Sequence, residues 1–356
     1  MKIKLFFWIV VLIFLLVFTK GNAEEQIVLL LKIGVDVDIL DPNPEGECIG
    51  PNCFAINANQ TKVVVADPLK SKLLIYDLKN QKLTVSFDTP CMVLKQVLFS
   101  PDDDVVYLSG SDNPAKTFNI IRKVSPEGRL KWELRDNAIP KAIQDEIVKN
   151  HFNYYSEHYK DYYDKILKKP YKNPRSLYWK HFTLNGKGDL FVATLSSVLK
   201  YTSKGELVGV VPGMGYPFTP YLFRLDDGGE LYTEGGELQM FDEKKVKMRA
   251  NLPRNRIELP DFQGKTQYHK GSLIEIAGVD SANNIYLQEY KPTQEQKSSN
   301  LMVYKFDVAG TLLKTYLLTR PVGYFRKGVQ IMTNGTIYYW KYHENEGHIE
   351  LRRITQ

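Results

Sequence analysis

The feature that most constrains this chain is a unit of short apolar runs broken by turn-forming residues. It is clearest between Phe54 and Leu78. Phe54-Ala55-Ile56 is followed by Asn57-Ala58-Asn59-Gln60, which suits a tight turn, and Lys62 to Ala66 then supplies a β-branched strand core. Asp67-Pro68 stops that strand, because proline lacks the donor a ladder needs. Leu73 to Asp77 and Leu83 to Phe87 complete the unit. Four short antiparallel strands in roughly forty residues cannot bury both faces alone, so such a unit must stack on copies of itself.

Copies follow in order. Val97–Leu108 and Ile120–Leu134 form the second, His181–Val208 the third, and Leu222–Asp242 the fourth. Ile274–Leu313 is the fifth and Val329–Arg353 the last, with Asn334-Gly335 as its hairpin signal. Six copies predict an all-β fold, a six-bladed β-propeller. The last copy supplies only three strands, while Ile27–Ile33 reads as a strand without a partner in the first repeat. The N-terminal strand is therefore expected to complete the last blade and close the ring, removing open sheet edges.

The first unit resembles an NHL-type repeat of the six-bladed propeller superfamily, through Gly50-Pro51, Phe54-Ala55-Ile56, Val63 to Asp67 and Leu74 to Asp77. It departs in Gln60-Thr61, where a turn glycine is usual, and in Lys72, where arginine is common. The resemblance implies a fold for most of the chain and no single activity, since that superfamily includes binding modules, scaffolds, and metal-dependent lyases or lactonases.

Met1–Ala23 reads as a signal peptide: Lys2 and Lys4 precede an apolar run from Leu5 to Phe18, and Gly21-Asn22-Ala23 offers small residues for cleavage. The expected organisation is a signal peptide over 1–23 and one propeller domain over 24–356, with a helical insertion over 136–175. The protein is expected to be exported, periplasmic or secreted, touching membrane only if the N-terminal segment is uncleaved. Removing Lys2, Lys4 and Lys20 lowers the formal charge from +6 to +3, which does not point to nucleic acid. Of three cysteines, Cys48 and Cys53 are plausible disulfide partners in an oxidising compartment, with Cys53–Cys91 as the competing pair.

The insertion breaks the repeat. Ile143, Ile147, Tyr155, Tyr159, Tyr162, Tyr163 and Ile166 fall near helical spacing between Pro140 and Pro170, predicting one or two helices between blades 2 and 3. As a cover it shields a rim; as a recognition surface it presents Tyr155, Tyr159, Tyr162, Lys168 and Lys169 to a partner. On the second reading, deleting 136–175 leaves the ring folded and abolishes capture.

Conventional catalytic motifs are absent from the sequence, and no catalytic residue is assigned. The leading expectation is a non-enzymatic module that binds a protein, peptide or glycan on one rim. The alternative is a metal-dependent lyase or lactonase-like enzyme. His181 and His269, each just ahead of an inner-strand candidate, would be among the ligands of its divalent metal in the central channel. The acidic turn Asp102-Asp103-Asp104 has the look of a cation site, though hairpin turns favour aspartate on conformational grounds alone.

Overall fold

The computed structural model describes residues 24–38, 51, 53–89, 93–110, 119–158, 179, 181–194, 197–212, 223–224, 230–234, 237–242, 245–251, 259–260, 266–267, 273–292, 299–307, 309–319, 328–343 and 346–355. The first strand among the described residues is β1 (Glu24–Lys32). Two antiparallel meanders follow: β2 (Cys53–Ile56), β3 (Lys62–Asp67), β4 (Lys72–Asp77) and β5 (Lys82–Asp88), then β6 (Val93–Phe99), β7 (Val105–Gly110), β8 (Asn119–Val124) and β9 (Leu130–Arg135). Helix α1 (Lys141–His158) precedes β10 (His181–Leu184), β11 (Leu190–Ala193), β12 (Ser197–Tyr201) and β13 (Leu207–Pro212).

Next come β14 (Phe223–Arg224), β15 (Glu230–Glu234), β16 (Glu237–Asp242) and β17 (Lys245–Asn251), then a two-stranded ladder of β18 (Leu259–Pro260) and β19 (Thr266–Gln267). The chain continues through β20 (Leu273–Val279), β21 (Ile285–Pro292), β22 (Ser299–Phe306) and β23 (Leu312–Thr319). It ends with β24 (Val329–Ile331), β25 (Ile337–His343) and β26 (His348–Thr355). The last sheet runs β24-β25-β26-β1, so the N-terminal strand is its outer edge, with Glu24 opposite Thr355 and Lys32 opposite His348.

The cores lie between sheets. On β3, Val63 and Val65 face the last sheet, joining Trp340, Tyr338, Leu351, Leu29 and Leu31. Their neighbours Val64 and Ala66 face the second sheet, joining Leu94, Val97, Val105 and Tyr107. A strand covered on both faces reads as a continuous apolar run, and that is why Lys62–Ala66 shows no alternation. A third core joins the β6–β9 and β10–β13 sheets, and a fourth joins β20–β23 to the last sheet. These interfaces define a β-propeller.

The expected six-bladed ring with one or two inserted helices needs correcting. Among the described residues, five blades are packed face to face, and the fourth copy, β14–β17, is a backbone ladder whose side chains lie outside the description. Strand-and-turn order in a sequence reports ladders; a blade also needs both faces filled, which that order cannot report. Among the described residues there is one α-helix, α1, where the spacing allowed two. Its first turn forms on Pro140, whose carbonyl accepts from Ile143 and Gln144.

The helix is not a detachable appendage. Ile139 and Ile147 are buried and Ile143 is half-buried, all against Phe182, Leu190, Leu199 and Val106 in the core between the second and third blades. Asp136 is buried too, accepting hydrogen bonds from the Asn119 backbone and side chain at 2.8 and 2.7 Å. Deleting 136–175 would take Ile139 and Ile147 out of that core, so the shortened chain is expected to lose stability rather than leave the ring unchanged.

Turn chemistry sets one rim. At several of the described hairpins that join first to second and third to fourth strands, a side-chain oxygen at the turn's start takes two backbone N–H groups. Asn57 takes those of Thr61 and Lys62, Asn185 those of Lys187 and Asp189, and Asp280 those of Ala282 and Asn284. Ser125 and Thr202 do the same with hydroxyls. Such local bonds explain why Asn, Asp, Ser and Thr mark these turns in the sequence. We call this end the hairpin rim. Among the described residues, the β3–β4 turn, the facing ends of β25 and β26, and α1 lie at the opposite rim.

Candidate binding groove on the hairpin rim

Between the second and third blades the hairpin rim holds an open cavity of about 480 Å³. It is lined by Pro101, Asp102, Lys123, Lys131, Trp132, Lys187, Gly188, Ser203 and Lys204. Four consecutive turns build it. Pro101 and Asp102 come from the β6–β7 turn, and Lys123 with Lys131 flank the β8–β9 turn. Lys187 and Gly188 belong to the β10–β11 turn, Ser203 and Lys204 to the β12–β13 turn.

Trp132 is the fixed wall. Its indole N–H donates to the Ser203 carbonyl at 3.1 Å, tying the second blade to the third. Gly205 lies under the ring: a Cβ there would sit 3.1 Å from Cδ2, and the backbone at that residue has φ +82°. Only glycine meets both conditions without strain.

The floor is a four-membered ion network. Lys123 Nζ, almost wholly buried, sits 3.0 Å from Asp102 Oδ2 and 3.2 Å from Asp104 Oδ2. Lys131 Nζ reaches Asp104 at 2.5 Å. Burial pushes the Asp102 carboxyl up, but hydrogen bonds from Ser100 and Lys123, with the lysine charge, more than reverse this and hold it well below the ordinary carboxylate range. The hydrogen bond to Asp104 raises Lys131. Within this network two lysines balance two aspartates. Lys187 and Lys204 stand beside it and give the groove a positive excess.

The Asp102-Asp103-Asp104 turn is thus answered by lysines. Asp103 meets Lys62 at 3.5 Å and the Asn57 amide at 3.2 Å. The sequence signal that marks the groove, lysines at or beside the turns of consecutive repeats, is legible only once the blades are set side by side.

The other expected sites fall as follows. His181 opens β10, the innermost strand of its blade; it is buried, and lies opposite Ala193. His269 lies outside the described residues, so a pair converging on a channel is not seen. Cys53 opens β2, fully buried opposite Ala66, and Cys48 and Cys91 lie outside the described residues. Tyr155 belongs to α1, whereas Tyr159, Tyr162, Lys168 and Lys169 lie outside the described residues, as does the 1–23 segment. Among the described residues, one group has metal-ligand spacing, His343 with Glu346 and His348, on the opposite rim. No helix among those residues is long and apolar enough to cross a membrane.

By its sheets the protein belongs to the class of β-propellers. No family model and no curated protein matches the sequence, so the NHL-type resemblance gains no support beyond the fold. Solved structures similar to this chain include a streptogramin B lyase, 11% identical with a TM-score of 0.48, over 94% of this chain and 98% of that one. The WD40 β-propeller domain of Doa1 is 10% identical, with a TM-score of 0.46 over 94% and 98%. Virginiamycin B lyase from Staphylococcus aureus is 10% identical, with a TM-score of 0.45 over 94% and 100%. With TM-scores below 0.5, these likenesses carry no argument about fold or activity.

Proposed function

We propose that this protein is an exported binding propeller that captures an acidic peptide segment of a partner protein in the groove between the second and third blades. The observation that carries this reading is the arrangement of Lys187 and Lys204 beside a floor whose charges already cancel. Their positive charge is therefore available to an incoming carboxylate, and lysine fringes on a half-open groove speed and steer such encounters. The indole is committed on one face to Gly205 and at its N–H to Ser203, so it shapes the wall and leaves recognition to charge. Export rests on the lysine-flanked apolar segment at 1–23.

The test is fluorescence anisotropy with a labelled Glu/Asp-rich peptide, on wild type and on a Lys187→Glu/Lys204→Glu double variant. Binding that weakens at least tenfold in the variant, and falls as salt rises, supports the reading. Equal binding by both proteins, or none at low salt, overturns it. Preference for an acidic polysaccharide over the peptide would replace the peptide partner with a glycan. Mass spectrometry of the mature N-terminus checks export; a chain that begins at Met1 refutes cleavage.

A further inference from the structure

We propose that the β25–β26 hairpin, on the rim opposite the groove, holds one divalent transition-metal ion of the zinc class through His343, Glu346 and His348.

His343 and His348 are cross-strand partners, the last pair before the turn, and Glu346 lies in the turn between them. The two imidazole rings stack with centroids 4.6 Å apart at 21°. Glu346 reaches toward both: its Oε1 is 3.6 Å from His343 Nδ1 and its Oε2 3.6 Å from His348 Nε2. One ligand atom from each residue fits within a mutual span of 4.8 Å. A tetrahedral ion with bonds of about 2.0–2.1 Å sets its ligand atoms about 3.4 Å apart, so binding would draw the cluster in and turn one ring of the stack to aim both nitrogens at one point.

The competing explanation is that the histidines merely neutralise buried carboxylate. Glu350 is the buried carboxylate here, 5% exposed, and Arg352 already serves it through Nε and Nη2, each at 2.7 Å. Arg352 is anchored in turn to Glu25 on β1 at 2.8 Å.

Arg352 thus supplies Glu350 with a permanent cation, and His348 Nε2 adds a longer contact to the same carboxylate, 3.4 Å from Oε1. His343 Nε2 is buried without an aligned hydrogen bond, although Glu350 Oε2 lies 2.9 Å away. A slight ring rotation would direct Nε2–H at Glu350 and leave the Nδ1 lone pair facing Glu346. A carboxylate behind a ligating imidazole is the usual support of a metal-bound histidine.

Two imidazoles and a carboxylate, without thiolate, suit zinc and its neighbours; calcium and magnesium favour all-oxygen shells. The side chains of His343 and His348 are 20% and 13% exposed, and that of Glu346 is 64% exposed, so an ion enters from the Glu346 side. Three protein ligands leave a position for water or a partner's side chain.

The full chain, purified without a polyhistidine tag and stripped with chelator, would be titrated with zinc by calorimetry and with cobalt(II) by visible absorption. The expected result is one ion per chain and a tetrahedral cobalt spectrum. Glu346→Gln, in the exposed turn, should bind at least tenfold more weakly, and Glu350→Gln should weaken binding 10–100-fold, as loss of a supporting carboxylate does. His343→Ala and His348→Ala should abolish uptake. No zinc uptake by wild type, uptake unchanged in Glu346→Gln and the histidine variants, or a preference for calcium would each overturn the site. Because Glu346→Gln touches no core residue, the proposal stays falsifiable if a histidine variant fails to fold.

Discussion

Gln330 and Ile56 lie 274 residues apart and hold the ring closed with two hydrogen bonds. Ile56 N–H donates to Gln330 Oε1 at 2.6 Å, and Gln330 Nε2 donates back to the Ile56 carbonyl at 3.1 Å. The side-chain amide thus imitates a neighbouring strand at an interface where innermost strands approach but do not pair. Gln96 repeats the device between the second and third blades, gripping the Phe182 backbone at 2.6 and 3.0 Å. Gln96→Ala strands both Phe182 backbone groups in a buried setting and should cost about 1–3 kcal/mol. Gln330→Ala, where the side chain is half-buried, should cost about 1 kcal/mol. The two share no partner, so their shifts in urea midpoint should add.

Removing β1 is expected to abolish cooperative unfolding. The strand places Leu29 and Leu31 fully in the core between the last and first blades and buries Val28 almost as well. At about 1.5–3 kcal/mol for each buried aliphatic side chain, their loss approaches the whole stability of a typical domain. A thermal melt of the chain lacking 24–32 checks this; an unchanged transition would refute it.

Gly205 should resist substitution where Gln81 invites it. Gly205→Ala forces a side chain into the left-handed region and against the Trp132 ring, and should lose about 1–2 kcal/mol from the backbone alone. Gln81 already sits at φ +53° on the exposed β4–β5 turn. There Gln81→Gly should gain about 0.5–1 kcal/mol, after the greater freedom glycine has when unfolded is counted. Denaturant midpoints distinguish the opposite signs.

Acid sensitivity should trace in part to Asp102. Held below its unfolded value, this carboxyl takes up a proton less readily in the folded chain than in the unfolded one, so acid favours unfolding. The stability it contributes is present above about pH 4 and is lost as pH falls through the lower folded value. Its side chain is 56% exposed, so solvent screening keeps the effect modest. Asp102→Asn should flatten the acid limb of urea midpoints taken from about pH 6 down to about pH 3; an identical slope in both proteins would show that the lysine network contributes nothing.

Much of this was written locally. Lys62–Ala66 is apolar on both faces and can only be a strand between two cores, and the Asn, Asp, Ser and Thr positions name their own turns because their side chains bond the turn backbone. The unpartnered N-terminal strand pairs with β26 because an edge rich in leucine needs cover. Short-range chemistry reaches no further. Whether Ile147 marks a loose cover or a core residue depends on Phe182 and Leu199, which it meets only after the blades stack. Lys131 and Lys204 stand far apart in the chain and share a groove because two turns of different blades come to one rim. His343 and His348 read as two scattered histidines until antiparallel register sets them face to face across a hairpin. Local sequence determined the strands and their turns, since those depend on neighbours along the chain. Tertiary packing decided the sites, since each joins side chains that only stacking or register brings together.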